Sequence, residues 1–250
     1  MSGRLAVIGL GPGDAALLPP GASAALAEAD DLFGYGPYLA RVPERAGQRR
    51  HASDNREELE RARAALDRAA AGARVAVVSA GDAGVFGMAA AVFEAIEHGA
   101  ATWRALDVAV IPGITAMLAA AARVGAPLGH DFCALSLSDN LKSWAVVTRR
   151  LAAAAEAGFA LALYNPASRA RPWQLAAAFK LLRARLPAAT PVVFATAVTR
   201  PEERIEITTL ELADAARADM RTLVLVGTAE TRLIARANGP PWLYTPRSAA

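Results

Sequence analysis

Three glycine-rich loops, each coming directly after an apolar run, constrain the fold of this 250-residue chain more than any other feature. The apolar run 75–78 leads into the loop Ser79–Gly87, and similar runs precede the loops Gly9–Asp14 and Ile111–Ala116. An apolar run bounded by glycines is typical of a buried strand that ends in a tight turn. In an open α/β sheet such turns lie along one edge, which is where ligands bind. The sequence therefore predicts an α/β fold with a small-molecule site at the ends of its strands.

The order of strand and helix patterns predicts two α/β domains, residues 1–112 and 113–250. Strands alternate with helices in the first, which indicates a mostly parallel sheet, and strands crowd together in the second, which indicates a mixed sheet. The expected strands are Leu5–Leu10, Asp31–Phe33, Arg74–Ser79, Asp107–Ile111, Phe132–Leu137, Ala160–Tyr164, Val192–Ala197, Glu206–Thr209 and Thr222–Val226. The expected helices are Ser23–Ala29, one from Asp54 to Gly72, Met88–His98, Ile114–Val124, Trp144–Ala157, Trp173–Leu186 and a short one near Leu212.

Local signals define the remaining segments. Asp54 followed by Glu57 three residues later is a capping-box pattern, which predicts that Asp54 is the N-cap of its helix. The stretch Arg41–Arg56 is polar and lacks a clear period, and the tail that follows Gly239 begins with two prolines. We expect both the stretch and the tail to be irregular.

Composition and charge exclude several classes of protein. A net charge of +3 is too small to predict a nucleic-acid partner. The longest nearly uncharged apolar stretch, 108–122, is broken by a Pro-Gly pair and is too short to span a membrane, and no apolar signal segment precedes the first strand. Cys133 is the single cysteine and the three histidines are scattered, so neither an internal disulfide nor a metal site is expected. We therefore expect a soluble, cytoplasmic protein with a buried structural thiol.

A dinucleotide-binding interpretation of the first loop fails on one residue. The pattern G-x-G-x-x-G needs glycine at position 14, where Asp14 would instead repel a pyrophosphate. The chain also has no G-K-[ST] sequence of a phosphate-binding loop. A nucleotide-dependent oxidoreductase or a nucleotide-binding module is therefore a disfavoured alternative, which titration with NAD would test.

Taken together, the three loops resemble the signature loops of the tetrapyrrole methylase superfamily. The segments that carry this resemblance are Gly9–Asp14, Gly81–Gly87 and Pro112–Ala116, and the match extends from Arg4 to Thr245. The resemblance implies an S-adenosylmethionine-dependent enzyme, with S-adenosylhomocysteine as the product of the cofactor. It further implies two α/β domains with the cofactor in the cleft between them, and a homodimer.

Other segments resemble the subfamily that methylates precorrin-3B at C17 and contracts the macrocycle to precorrin-4 in cobalamin biosynthesis. These segments are Gly34–Leu39, Ser53–Glu57, Gly129–Cys133, Leu137–Leu141 and Leu163–Ser168. Ala83 and Ser143 depart from the pattern, because proline is expected at both positions. Two alternatives stay open: the same reaction on the cobalt-bearing macrocycle, and a non-catalytic protein that binds adenosylmethionine or tetrapyrrole.

The resemblance also implies which residues bind the two ligands. The residues expected to bind the cofactor are Pro12, Gly81, Asp82, Val85, Phe86, Thr115, Ala116, Tyr164, Asn165, Ala195, Thr196 and Gly227. Those expected to bind the tetrapyrrole are Gly11, Ser136, Ser138, Asn140, Lys142, Ser168, Arg169 and Arg171. Arginine pairs well with carboxylates, which suits a polyanionic substrate.

Ring contraction needs an acid or base, because a hydroxyl proton must leave while a carbonyl develops. Asp139 is the first candidate, since it lies in a loop that is dense in polar side chains. Asp54 is the second, with helix capping as its structural alternative. His130 is the third, and it could equally be a turn residue before a strand.

Overall fold

The computed structural model describes residues 3–54 and 56–248, so Asn55 of the resembling segment Ser53–Glu57 lies outside the described residues. The chain divides into two compact units, Met1–Thr115 and Ala116–Ala250. Each is an α/β unit, and the fold class predicted from the sequence is confirmed. Within the described ranges no helix combines the length and apolar character that crossing a membrane requires.

The first unit is built on a five-stranded parallel sheet in the order β3-β2-β4-β1-β5. Its strands are β1 (Arg4–Gly9), β2 (Asp31–Tyr35), β3 (Arg49–Ser53), β4 (Arg74–Ser79) and β5 (Asp107–Ile111). Its helices are α1 (Pro20–Glu28), α2 (Gly36–Leu39), α3 (Glu58–Ala70) and α4 (Met88–His98), with 3-10 turns at Ala15–Leu17 and Ala101–Ala105. Because the strands are parallel, the segments that follow them all start at one edge of the sheet.

Strand β3 corrects the expectation that Arg41–Arg56 is irregular. It pairs in parallel with β2 at the edge of the sheet, with Asp31 opposite Arg49 and Phe33 opposite His51. The residues of an edge strand are only partly covered, so β3 shows no alternation of apolar and polar residues that a sequence pattern could reveal. Pairing with β2, rather than local preference, makes this segment a strand.

Helix α3 begins later than the capping box predicts. Its N-cap is Glu57, so the prediction that Asp54 caps the helix is wrong. Half of the box is present, because the backbone N–H of Asp54 donates to Glu57 Oε2 at 3.0 Å. The helix ends at Ala70, before Gly72, whose φ is 93°, and one of its faces is buried. The buried residues of this face are Arg61, Ala62, Ala65, Leu66 and Ala69.

The second unit contains a mixed five-stranded sheet in the order β10-β9-β11-β8-β7, in which only β7 and β8 pair in parallel. These strands are β7 (Phe132–Ser136), β8 (Ala160–Tyr164), β9 (Pro191–Thr196), β10 (Arg204–Thr209) and β11 (Thr222–Val226). A small second sheet is formed by β6 (Gly125–Ala126), β12 (Arg232–Ile234) and β13 (Trp242–Tyr244). The helices are α5 (Ala116–Val124), α6 (Trp144–Glu156) and α7 (Gln174–Arg183).

Two expectations for the second unit are corrected. The tail was expected to be irregular, but its residues Trp242–Tyr244 form β13, which pairs with β12 and β6. The short helix near Leu212 is a 3-10 turn at Ala215–Arg217, where the carboxylate of Asp214 accepts from the N–H of Ala216. Both segments are too short to show a period, so only their partners determine their conformation.

Both faces of the mixed sheet are covered. Helix α5 packs on one face, and α6 and α7 pack on the other around a core that includes Phe179 and Phe194. Cys133 is partly buried against this core, and burial raises the pKa of its thiol. The thiol therefore ionises less readily than a free cysteine does, as expected for a structural residue.

Candidate functional site

The three glycine loops meet at the carboxyl edge of the first sheet. Gly11 and Gly81 exchange two backbone hydrogen bonds of 3.0 and 2.9 Å, and both have positive φ, 69° and 63°. A Cβ added to Gly113 would lie 2.3 Å from the carbonyl oxygen of Gly81 and 2.7 Å from that of Gly9. Only glycine allows backbones to approach so closely. The loops after β1, β4 and β5 therefore form one backbone framework.

Asp82 joins two of these loops through its carboxylate. Oδ1 accepts from the N–H of Gly84 at 2.8 Å, and Oδ2 accepts from the N–H of Gly113 at 2.9 Å. Each oxygen accepts one of these bonds, and a carboxylate oxygen can accept another. Asp82 is thus a structural link between two loops that can still accept a hydrogen bond from a ligand.

Two other predicted cofactor residues of this edge have notable conformations. Phe86 has a φ of 52°, which is uncommon for a side chain of this size, and 53% of the residue is exposed. Thr115 is buried, and Val85 is partly buried. A bulky residue held in the left-handed region and left exposed is typical of a binding loop rather than of a core. Pro12 lies in the same framework, one residue after Gly11.

Two arginines that the sequence analysis did not single out position this edge. Nη2 of Arg41 donates to the carbonyl oxygens of Leu10 and Gly11, both at 2.9 Å. Arg61 is buried, its Nε donates to Ser53 Oγ at 2.7 Å, and its Nη2 donates to the carbonyl of Asp54. Burial lowers the pKa of Arg61. A signal for Arg61 was available, because it lies on the buried face of α3.

Asp54 itself is exposed at the carboxyl end of β3. It therefore lies at the same edge as the glycine loops. Strand β2 separates β3 from β4, so the ends of β3 and β4 are about 10 Å apart at the usual strand spacing. The structure places Asp54 on the edge that carries the loops without bringing it into the backbone framework.

In the second unit, the predicted residues gather where the parallel strands β7 and β8 end. Asn165 Nδ2 donates to Ser136 Oγ at 2.9 Å, and the N–H of Ser138 donates to the same oxygen at 3.3 Å. The N–H of Met117 donates to Tyr164 Oη at 3.1 Å, next to Ala116 in sequence. Asn165 has a φ of 52°, which asparagine tolerates better than most residues. These bonds hold the ends of β7 and β8 together.

Asp139 has a partner that the sequence analysis missed. Nε2 of Gln174 donates to Oδ1 and Oδ2 of Asp139 at 3.1 and 3.3 Å. Trp173, which precedes Gln174, packs edge to face on Trp144, which follows the loop of Asp139, with ring centroids 5.0 Å apart. Gln174 is buried and lies on the apolar face of α7 at a spacing of four from Ala178. A polar residue on an apolar helical face is the signal that would have found it.

The remaining predicted substrate residues of the second unit lie in the loop of Asp139 and in the segment 168–171. Burial, with a smaller contribution from Arg150, lowers the pKa of Lys142 in the same loop. Asn140 is exposed. Ser168 and Arg171 exchange backbone hydrogen bonds of 3.1 and 3.0 Å, and Arg171 Nη1 donates to the carbonyl of Asn165 at 3.2 Å. A groove of about 650 Å³ is lined by Ser168, Arg169, Pro172, Asp219, Met220 and Arg221, among others.

His130 lies at the opposite edge of the mixed sheet from Asp139. It precedes β7, whereas Asp139 follows it, and the strand between them is about 17 Å long at 3.3 Å per residue. Nδ1 of His130 accepts from the N–H of Asp131 at 2.7 Å. This bond is that of a turn residue, and the second unit does not bring His130 and Asp139 together.

Gly227 is also at the opposite edge. It follows Val226, which pairs with Val192, and its N–H donates to the carbonyl of Pro191 at 2.9 Å, so it lies about 17 Å along β9 from Thr196. Ala195 is fully buried in the core under α5, and Thr196 Oγ1 is hydrogen-bonded to Thr222 Oγ1 at 2.9 Å. The side chains of Ala195 and Thr196 are therefore part of the unit's interior, and the structure does not group them with Gly227.

Comparison with known proteins identifies the class to which these loops belong. The family Tetrapyrrole (Corrin/Porphyrin) Methylases matches residues 4–214, which is most of the chain. The chain belongs to this family. Membership selects the methylase interpretation over the nucleotide-dependent one, and it agrees with the resemblance that the loops carry.

The similarity extends to particular members. The chain is 59% identical to the precorrin-3B C(17)-methyltransferase of a Sinorhizobium species over 99% of this chain and 97% of that protein. It is similar to the crystal structure of the methyltransferase CobJ, with a TM-score of 0.92 and 51% identity over 98% of this chain and 100% of that one. It also resembles Thermus thermophilus uroporphyrin-III C-methyl transferase complexed with S-adenosylhomocysteine, at a TM-score of 0.66 and 25% identity over 90% and 92% of the chains.

Proposed function

We propose that this chain transfers a methyl group from S-adenosylmethionine to C17 of precorrin-3B and contracts the ring to precorrin-4, within cobalamin biosynthesis. The observation that carries the proposal is the 59% identity to a precorrin-3B C(17)-methyltransferase over nearly the full length of both chains. The loops that define the family are present, with Ala83 in place of the expected proline, and the backbones of Gly9, Gly81 and Gly113 pack as closely as the family's glycines imply.

The residues of the first unit fit an adenosyl cofactor. Gly11 and Gly81 hold two of the loops together at positive φ, Asp82 retains acceptor capacity toward hydroxyl or amine donors, and Phe86 offers an exposed ring. When bound, S-adenosylmethionine supplies an electrophilic methyl group. We assign its binding to Pro12, Gly81, Asp82, Val85, Phe86 and Thr115 in the first unit and to Ala116, Tyr164, Asn165, Ala195, Thr196 and Gly227 in the second. Of these residues Gly227 has the least support, because it lies about 17 Å along β9 from Thr196.

The second unit supplies groups suited to a polycarboxylate macrocycle. Arg169 and Arg171 near the groove can pair with acetate and propionate side chains, and Ser168 can add a hydrogen bond. Asp139 can accept the hydroxyl proton, since within the described residues its carboxylate accepts hydrogen bonds only from the neutral amide of Gln174. Gly11, Ser136, Ser138, Asn140 and Lys142 complete the proposed substrate set. The proposed form is a cytoplasmic homodimer.

The test is anaerobic incubation with S-adenosylmethionine and precorrin-3B, followed by mass and absorption spectra of the product. A gain of one methyl group together with the spectrum of a contracted ring supports the proposal. Asp82→Asn should weaken adenosylmethionine binding about tenfold, because one oxygen that organises the loops becomes a donor. Asp30→Asn is the matched control, because Asp30 pairs with Arg74 at the amino end of β2.

Two other results would redirect the assignment. Binding of adenosylmethionine with precorrin-3B left unchanged would overturn the metal-free substrate, and the cobalt-bearing macrocycle would be tested next. Binding of both ligands with neither macrocycle methylated would leave a carrier. If calorimetry detects no adenosylmethionine binding, the enzymatic proposal fails.

A further inference from the structure

Gln174 is a buried polar side chain of the second unit that hydrogen-bonds to Asp139. Only 1% of the residue is exposed, although it is the first residue of a surface helix. Nε2 donates to both oxygens of Asp139, whereas Oε1 is buried and has no hydrogen-bond partner among the described residues. A buried acceptor without a partner costs roughly 1–3 kcal/mol. A purely structural role would not require such an acceptor.

We propose that Gln174 is a positioning residue that serves Asp139 in both of its protonation states during ring contraction. The inference rests on the proposed function and on Asp139 as its proton acceptor. The amide carries a donor and an acceptor on one planar group. Nε2 holds the ionised carboxylate, and a half-turn of the amide presents Oε1 to the O–H of the protonated acid. The oxygen that is now without a partner gains one when the proton arrives.

The covalent change is the transfer of one proton. The O–H bond of the substrate hydroxyl breaks with its electron pair left on the substrate oxygen, and the proton forms an O–H bond on Asp139. Asp139 then returns the proton to solvent, and Gln174 exchanges no atom with the substrate. The amide keeps the carboxyl group in one place through both steps, which is what proton transfer over a short distance requires.

Packing limits the freedom of this pair. Trp173 precedes Gln174 and packs edge to face on Trp144, which follows the loop of Asp139. The next residues of the buried face of α7 are Leu175, Ala178, Phe179 and Leu182. Gln174 is therefore anchored by the helix, and its amide acts from a rigid element on a carboxylate in a loop.

A double-mutant cycle tests whether Gln174 acts through Asp139. Asp139→Asn should lower the single-turnover rate of ring contraction by about 100-fold or more. Gln174→Met should lower it by about 10-fold with KM changed less than about twofold, because binding is retained while the carboxyl group is misplaced. Added to Asp139→Asn, Gln174→Met should cause no further loss. If the rate losses of the two single variants multiply in the double variant, the proposal is overturned.

Stability separates this role from a structural one. Methionine fills nearly the same volume and removes the buried acceptor, so Gln174→Met should unfold at the same or a higher urea concentration. A variant that is slower and less stable in proportion would contradict the proposal. Gln48→Met is the matched control, because Nε2 of Gln48 also donates two hydrogen bonds, to the carbonyls of Leu26 and Ala29, away from Asp139. It should leave the rate unchanged.

Gln174→Glu provides a pH readout that a structural role would not give. Two neighbouring carboxyl groups share one proton, so the acidic limb of the rate profile should move up by about one pH unit or more. Above that limb the activity should exceed that of Gln174→Met. The other charged groups on the Asp139 loop, α6 and α7 are the same in the wild type and in Gln174→Glu, so they do not account for the shift. These groups are Lys142, Arg149, Arg150, Glu156, Lys180 and Arg183.

An unchanged pH profile for Gln174→Glu would overturn the proposal. If the wild-type protein itself forms no contracted product, the proposed function fails. If the wild-type protein is active and the Gln174 variants match it in rate and pH profile, only this inference fails.

Discussion

Asp31 in the first unit and Asp139 in the second both accept hydrogen bonds from side chains, and their partners differ in charge. Asp31 in the first unit is fully buried and accepts from Arg49 at 2.9 and 2.8 Å and from Arg68 at 3.0 Å, with His51 Nε2 at 2.7 Å. Asp139 in the second unit accepts from a neutral amide. The hydrogen bonds from Arg49 hold the pKa of Asp31 far below its usual range, although burial opposes this, and His51 and Arg68 add to the effect.

This difference agrees with a structural role for Asp31 and with the proton transfer that we propose for Asp139. Cations around Asp31 favour the ionised form so strongly that it keeps its charge throughout the working range of pH. The amide partner of Asp139 carries no charge and holds the carboxylate through hydrogen bonds alone. The positions agree with these roles: Asp31 begins β2 at the amino edge, and Asp139 follows the carboxyl end of β7. Ligands of α/β sheets bind at carboxyl ends.

The largest effect is expected when a cation is placed beside Asp139, because its surroundings then resemble those of Asp31. In Gln174→Lys the ammonium favours the ionised carboxylate, as the arginines do at Asp31, so proton uptake becomes harder and kcat should fall about 100-fold. Adenosylmethionine affinity, measured by calorimetry, should change less than about twofold, since Gln174 is not one of the residues assigned to the cofactor. Gln48→Lys is the control. Full activity of Gln174→Lys would show that Asp139 does not need a neutral partner.

Removing the charge of Asp31 should affect stability rather than catalysis. Asp31→Asn leaves two arginines without their shared carboxylate, which should lower the free energy of unfolding by about 2 kcal/mol, since the arginines are partly exposed. Urea unfolding at about pH 7 measures this loss. Asp30→Asn, next to it in sequence, should cost less than about 0.5 kcal/mol because the Asp30–Arg74 pair is exposed. A rate loss in folded Asp31→Asn would contradict the division of roles.

The pH dependence of stability should reveal the same interaction between the Asp31 carboxylate and its arginines. The pKa of Asp31 is lower in the folded protein than in the unfolded chain, so its contribution is complete above about pH 5 and is lost progressively as the pH falls below about 4 toward the lowered folded-state pKa. The urea midpoints of the wild type and of Asp31→Asn should therefore differ most at about pH 7, and the difference should shrink steadily below about pH 4. Parallel curves over that range would mean that the carboxylate contributes no charge-dependent stability.

The smallest expected effect concerns the loop that carries Asp139. Ser143 has a φ of −64° and its side chain makes no capping hydrogen bond, so proline fits this position without losing a contact. Ser143→Pro should stabilise the second unit by about 0.5 kcal/mol through the entropy of the unfolded chain. Thermal unfolding measures the change, and Ser143→Ala separates the ring from the loss of the hydroxyl. Destabilisation would show that the loop needs conformations that proline forbids.

Much of the fold was accessible from sequence because its elements are long and periodic. Strands β4, β5, β8 and β11 and helix α4 begin and end where the pattern predicts. β3 was missed because its partner β2, not its own composition, makes it a strand. The start of α3 was misplaced because one half of a capping box formed and the other did not. Short segments depend on neighbours that lie far away in sequence.

The candidate site divides in the same way. The glycine loops could be found because backbone approach and positive φ require glycine, which is visible in any sequence. Gln174 and Arg61 were missed although each lies on the buried face of a helix, because the apolar pattern that marks such a face does not show which groups a polar residue on it contacts. His130 and Gly227 were grouped with residues at the other edge of the mixed sheet, since a linear sequence does not reveal strand direction.

The amino-acid sequence alone predicted two α/β units and located the glycine loops through which the chain resembles its family, because strands, helices and tight turns follow from local periodicity and from residue types that local geometry demands. Tertiary structure alone decided which carboxylate is paired with cations and which with an amide, since both partners of each pair are separated by many residues along the chain. Hydrogen bonds and charge interactions act over a few ångströms in space. Distance along the chain does not predict them.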